Sequence, residues 1–218
     1  MIQLIKIYKI LLAHYSDPHW WPARTPFEVI VGAILTQNTA WVNVEKAIAN
    51  FGDSLSPYFI EGAGAAELAE IIRPAGFFNQ KVEYLKAVTS WFAQYGYDAA
   101  AVRRAPLSSI RAELLSVKGV GQETADSILL YAFDFATFVV DAYTVRLCGR
   151  YPIDVGNGNK YKYKYNTVKA YFESHLPQSI KVYNDLHALI VINAKEHCRK
   201  KPSCAGCPLN DTCAKLKT

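Results

Sequence analysis

Leu115-Ser116-Val117-Lys118-Gly119-Val120-Gly121-Gln122-Glu123-Thr124-Ala125-Asp126 is the stretch on which the reading of this chain turns. A helix ends, Gly-Val-Gly makes the turn, and a second helix starts. Glycine supplies the positive φ that such a turn needs and lets another backbone come close. The free N–H groups at the start of the second helix favour an anion. A turn of this kind holds a DNA phosphate without reading the base. A plain helix–helix turn shows the same pattern, so Gly-x-Gly alone decides nothing.

The next stretch that carries chemistry is Phe138-Val139-Val140-Asp141-Ala142-Tyr143-Thr144-Val145-Arg146. Three apolar residues lead to one carboxylate at a helix start. An aspartate there caps a helix, and it also stands well for chemistry at the mouth of a cleft.

Outward from these two stretches the chain reads as nearly all helix, with period-2 strands almost absent. Residues 2–15 form an amphipathic helix. Pro26 suits the first position of a helix whose run Phe27–Leu35 is apolar nearly all round, hence central and buried. Thr39 is positioned to cap the next helix, which carries Trp41, Val44, Ala47 and Ile48 on one stripe. A helix follows Gly64 and stops near Pro74, and a longer one spans 79–95. Ser108 or Ser109 caps a helix over 110–117. Helices near 122–133, 142–150, 165–175 and 180–197 complete the reading, with a short extended stretch at 137–140.

Five cysteines are present, and four of them close the chain: Cys198, Cys204, Cys207 and Cys213. Four thiolates in a reducing compartment point to metal ligation rather than disulfides. Zinc and an iron–sulfur cluster both accept such a set. The C-x5-C-x2-C-x5-C spacing, with only the middle pair close, favours the larger object. Cys148 reads as a buried core thiol.

Composition bounds the rest. The chain has 218 residues, 51% hydrophobic and 20% charged, with a net charge of +5. That is ordinary for a globular protein and argues against extensive disorder. No apolar run approaches a membrane-spanning length, and the N-terminus lacks the pattern of a signal peptide. The expected location is cytoplasmic, associated with the nucleoid through DNA, and no membrane partner is expected. Basic residues gather at Arg199, Lys200, Lys201, Lys215 and Lys217, and again along 160–165, compatible with a polyanion or with solvated surface.

The hairpin Lys-Gly-Val-Gly-x-x-Thr-Ala, the Val-Val-Asp segment, the four-cysteine loop and Leu35-Thr36-Gln37-Asn38-Thr39 occur in one order. In that order the chain resembles the helix-hairpin-helix (HhH-GPD) DNA glycosylases of the endonuclease III superfamily, over about residues 18–213. The resemblance implies an all-α, two-lobed fold with a C-terminal iron–sulfur cluster loop. One lobe, residues 19–135, is a six-helix bundle holding the hairpin; the other joins 1–18 to 136–218; DNA occupies the cleft between them. It implies a [4Fe–4S] cluster on Cys198, Cys204, Cys207 and Cys213. It gives Asp141 the catalytic carboxylate's role, sets Lys118, Gly119, Val120 and Gly121 against the DNA backbone, and makes Gln37 the residue that fills the gap left by a flipped base.

Two departures refine the expectation. Bifunctional members carry a nucleophilic lysine two residues past the hairpin; here that residue is Glu123, which cannot form a Schiff base. Trp20-Trp21-Pro22, Trp41 and Asp141-x-Tyr143 are similar to the 3-methyladenine glycosylase III branch. That likeness implies a base sandwiched between Trp21 and Trp41, with Pro22 at the edge and Glu123 near the pocket mouth. The expected function is monofunctional hydrolysis of the N-glycosidic bond of an alkylated purine in duplex DNA, by a monomer. The alternatives are an endonuclease III-like action on oxidised, deaminated or mismatched bases, with or without strand cleavage, and non-catalytic binding of damaged DNA.

Overall fold

The computed structural model describes residues 2–153, 155 and 164–213. Among these residues every regular element is helical, and there is no strand. The chain divides into two compact units, Trp21–Phe135 and the pair of segments Met1–Trp20 and Ala136–Thr218.

The first unit contains α2 (Pro26–Leu35), α3 (Trp41–Phe51), α4 (Pro57–Gly62), α5 (Ala65–Ile71), α6 (Phe78–Ala93), α7 (Ala99–Arg103), α8 (Leu107–Ser116) and α9 (Gln122–Tyr131). The start of α2 follows from local chemistry: Thr25 accepts the Glu28 N–H, and Pro26 supplies the fixed φ of the first turn. Every residue from Phe27 to Leu35 is buried, so α2 is the axis around which α3, α6 and α9 pack. Ile30, Ile34, Leu35, Val44, Leu68, Leu85, Ile128, Leu129 and Phe133 fill this core.

The second unit joins α1 (Ile2–Tyr15) to α10 (Ala142–Arg150), α11 (Tyr165–His175) and α12 (Ile180–Glu196). α1 and α10 pack on α12; Leu4, Ile7, Leu11, Phe138, Phe172, Tyr183 and Leu186 are buried, with Phe138 stacked on Phe172 and edge-on to Tyr183. Tyr8 donates to Asp185 Oδ2 at 2.9 Å, which ties α1 to α12 by a polar contact as well. Residues 137–140 run without regular structure. They are held by α11: Glu173 Oε1 accepts the Phe138 N–H at 2.9 Å, and Lys169 bonds Thr137 and Glu173.

Several local expectations fail for identifiable reasons. Thr39 does not cap α3, which starts after Ala40 with no side-chain cap. Its hydroxyl is drawn away to the Ala75 carbonyl at 2.6 Å and accepts from Lys81 Nζ at 2.7 Å. Neither Ser108 nor Ser109 caps α8, which begins earlier, after Pro106. The short helices α4 and α7, capped by Ser56 and Asp98, were not anticipated; six and five residues carry too little apolar periodicity to announce themselves. Of the basic stretch 160–165, residues 160–163 lie outside the described residues. No helix among the described residues is long and apolar enough to cross a membrane.

Candidate active site and DNA interface

In the first unit the hairpin is built as a close-packed turn. Val120 N–H bonds the Val117 carbonyl at 3.0 Å, and the Val120 side chain is buried. Gly119 has φ +85, and a Cβ added there would lie 2.1 Å from Cγ of Tyr84, so the backbone rests directly on that ring. Gly121 is different. It precedes α9 in an extended conformation (φ −89), with nothing within 4 Å of an added Cβ. No side chain caps the start of α9. Its backbone donors and an approach free of Cβ therefore lie together, the combination a phosphate needs. Arg111 locks α8 to α9 through a two-bond pair with Asp126, at 2.8 and 3.0 Å, and Asp126 is wholly buried. Lys118 is exposed and donates to Glu83 Oε2 at 2.6 Å, a surface pair that a phosphate could exchange for itself.

Gln37 follows α2, and its Nε2 donates to the Gly119 carbonyl at 2.9 Å and to Thr124 Oγ1 at 3.0 Å. The amide braces the hairpin here rather than projecting as a free plug. Lys81 anchors the same region from below. Its buried ammonium donates to the Leu35 carbonyl, Thr39 Oγ1 and the Ala75 carbonyl, at 2.7, 2.7 and 2.9 Å. Burial pushes its pKa down to about 8. Through Lys81 the loop after α2 is tied to the loop before α6. That second loop presents Phe77, 67% exposed and in the left-handed conformation (φ +47). A strained, exposed aromatic is a functional signal that the sequence alone did not mark.

Trp21 and Trp41 are brought into contact, but not as a sandwich. Their ring centroids are 5.0 Å apart and their planes stand at 89°. Two faces clasping a base need parallel planes roughly twice the stacking distance apart, so the expected slot is absent in this conformation. Trp41 Nε1 donates to Glu45 at 2.9 Å, one turn along α3. Trp21 also meets Tyr131, with centroids 5.1 Å apart at 45°, a third aromatic that the sequence reading missed. Trp21 lies against α2 where Gly32 leaves room: a Cβ there would stand 3.2 Å from Cζ2. Pro22 and Glu123 are exposed. Glu123 occupies the first turn of α9, about 12 Å along the helix axis from Tyr131.

In the second unit Asp141 is the N-cap of α10. Its Oδ1 accepts the Thr144 N–H at 2.7 Å and the Thr144 hydroxyl at 2.9 Å. Its Oδ2 faces Nε2 of His187, on α12, at 3.6 Å. Burial works to raise the Asp141 carboxyl's pKa, but His187 and the two Thr144 donors outweigh it and hold the group below the ordinary carboxylate value. Asp141 is thus a largely enclosed carboxylate whose neighbours favour its ionised form. His187 is a third residue that the sequence does not mark; an isolated histidine in an apolar helix gives no local sign of its partner.

The cysteine loop follows α12. Arg150 donates to Cys198 Sγ at 3.2 Å and to the Arg199 and Lys200 carbonyls, and Arg146 donates to the Cys198 carbonyl at 3.0 Å. All four thiols are half-buried. The Cys207 thiol is pushed up by burial and, after partial relief from the Leu209 N–H, further by Cys198, Cys204 and Cys213. The four sulfurs thus share one neighbourhood. Among the described residues no three His, Cys, Asp or Glu side chains converge to hold a single ion. By donor chemistry an all-thiol set suits either zinc or a multi-iron cluster.

An uncapped helix start behind a glycine turn, a helix-capping carboxylate at Asp141 and the aromatic contacts of Trp21 are the features this chain brings to a candidate active site. The HhH-GPD superfamily of base excision DNA repair proteins matches residues 31–171, and the chain belongs to it. It is a DNA glycosylase of base excision repair with DNA as its partner. Among its relatives, the Methanocaldococcus jannaschii protein MJ1434, provisionally named a DNA repair glycosylase, is 49% identical over 96% of this chain and 95% of its own. Endonuclease III of Escherichia coli is 26% identical over 87% of this chain and 83% of its own. The structure of the 3-methyladenine DNA glycosylase MagIII of H. pylori, bound to 1,N6-ethenoadenine, is 27% identical (TM-score 0.72), covering 88% of this chain and 97% of that one. A non-covalent endonuclease III–DNA complex shares the fold with TM-score 0.80 at 21% identity, over 99% and 95% of the two chains.

Proposed function

We propose that this glycosylase is monofunctional and hydrolyses the N-glycosidic bond of alkylated purines in duplex DNA, acting as a monomer. The observation that carries the reading is the aromatic group of Trp21, Trp41 and Tyr131. It offers stacking surface, which suits a base already activated by its own positive charge. The likeness to the 3-methyladenine glycosylase MagIII supports the same substrate class. Stacking is worth about 1–3 kcal/mol per base, with a cation–π gain for a charged one. Trp41 turns on its side-chain torsions to present a face parallel to the base, and Pro22 lies at the edge.

The chemistry needs few groups. The C1′–N bond breaks and its electron pair leaves with the purine, neutralising the base's positive charge. The Asp141 carboxylate stabilises the oxocarbenium-like sugar and orients water, whose oxygen bonds C1′ while its proton passes to the carboxylate or to solvent. Glu123 stands where a lyase would carry its amine, so no Schiff base forms and the strand stays intact. The α9 N-terminus, with Lys118, Gly119, Val120 and Gly121, seats a backbone phosphate. Phe77 acts as an apolar wedge against the stack. Gln37 leaves Gly119 and Thr124 to fill the vacated base position. Cys198, Cys204, Cys207 and Cys213 would hold a [4Fe–4S] cluster, which would fix the basic loop.

Duplexes carrying N7-methylguanine, an oxidised pyrimidine or a G·T mismatch test the assignment side by side. Release of the methylated purine alone is the expected result. Release of the oxidised pyrimidine would favour the endonuclease III-like reading, which the endonuclease III relatives support.

A further inference from the structure

We propose that His187 is a positioning residue for base release: its Nε2, facing Oδ2 of Asp141 across 3.6 Å, aims that carboxylate. The inference rests on the catalytic reading of Asp141 given above.

The geometry divides the work between the two oxygens. Thr144, on Asp141's own helix, saturates Oδ1 with an N–H and a hydroxyl. Oδ2 is left to α12, where His187 Nε2 stands 3.6 Å away, with side-chain exposures of 7% for His187 and 10% for Asp141. At that burial water replaces a lost partner poorly, so removing His187 leaves only the Thr144 donors and favours the protonated carboxyl. Among the described residues, other ionisable groups of the packed elements make contacts of their own. Asp185, on α12, takes the Tyr8 hydroxyl of α1 and the Lys181 ammonium. Tyr183 sets its ring edge-on to Phe138. On α11, Tyr165 approaches the Val140 N–H, and Lys169 and Glu173 serve residues 137 and 138. Arg146, on α10, reaches the Cys198 carbonyl. The net lowering of the Asp141 carboxyl agrees with this assignment.

The test is the pH dependence of single-turnover base release from an N7-methylguanine duplex, whose leaving group needs no proton from the protein. Circular dichroism at each pH checks folding. In the parent protein the acid limb lies below the ordinary carboxylate range. In His187→Leu it moves up by about 1–3 pH units and the plateau rate falls. His187→Gln, which keeps an N–H donor, moves the limb up by less. A plateau that falls while the limb stays put would make His187 merely structural and overturn the proposal. Should His187→Leu not fold, carbon-13 titration of Asp141 in His187→Gln decides: an upward shift supports the proposal, an unchanged midpoint overturns it. Asp141→Asn separates the two claims. Retained release there refutes the role of Asp141 itself. An inactive Asp141→Asn beside an unmoved limb in His187→Leu refutes only the role of His187.

Discussion

The two hairpin glycines look alike in sequence and differ in what they do, so substituting each with alanine gives a sharp test. Gly119→Ala puts a side chain into left-handed backbone (φ +85), at a cost of about 1–2 kcal/mol. Its Cβ would also start 2.1 to 2.5 Å from three ring atoms of Tyr84, whereas ordinary contact begins near 3.4 Å. The ring or the turn must therefore move by more than an ångström, an overpacking that costs about 1–3 kcal/mol more. At about 3 kcal/mol in total, Tm falls by roughly 6–12 °C for a chain of this size. Gly121→Ala meets nothing and needs no unusual φ. It changes stability by less than about 1 kcal/mol, yet it weakens DNA binding, because its methyl stands where the phosphate approaches. Calorimetry and fluorescence anisotropy with a lesion duplex read the two effects. The double variant Gly119→Ala/Tyr84→Ala recovers the overpacking part, which a double-mutant cycle isolates. Equal Tm losses at both glycines, or a Gly119→Ala protein as stable as the parent, would refute the packing argument.

Three other outcomes follow from the same structure. Trp41→Ala removes one stacking face and raises Kd for an N7-methylguanine duplex by roughly 10- to 100-fold, by the 1–3 kcal/mol scale of base stacking, with far less effect on undamaged DNA; equal losses on both DNAs contradict the pocket role. The Asp141 carboxyl is held below its ordinary 3.8 in the folded protein, so its contribution to stability is complete above that pH and disappears as pH falls through the lower folded value. Thermal melts should therefore show the gap between parent and Asp141→Asn narrowing below about pH 4, and a gap constant with pH contradicts this. Cys204→Ala abolishes the broad visible absorbance of a cluster-bearing preparation and lowers DNA affinity more than stability; a parent protein that holds zinc and no iron contradicts the cluster assignment.

How far the sequence alone carries the account depends on how local each signal is. The ends of α1, α10 and α11 were legible to the residue, because periodicity and caps such as Asp141 are near-neighbour effects. Thr39 and Ser108 misled for the opposite reason. Thr39 has the chemistry of a cap, but the buried Lys81 and the Ala75 carbonyl, more than thirty residues away in sequence, claim its hydroxyl. The family was legible because its four motifs keep one order, and residues 31–171 match it. Tyr131, His187 and Phe77 were not legible. Each acquires its meaning from a partner or an exposure that only the packed chain creates: Trp21 for Tyr131, Asp141 for His187, and the left-handed turn before α6 for Phe77. The perpendicular Trp21–Trp41 contact is also a property of side-chain torsions that no motif encodes.

The central claim is that this chain releases an alkylated purine with water as the nucleophile. A single-turnover reaction on duplex DNA containing methylated purines, divided so that one half receives hot alkali and the other does not, tests it most directly. The account predicts free methylated base in both halves and strand breaks only after alkali. Breaks without alkali, together with a covalent adduct trapped by borohydride, would contradict it and reveal an amine nucleophile where Glu123 allows none.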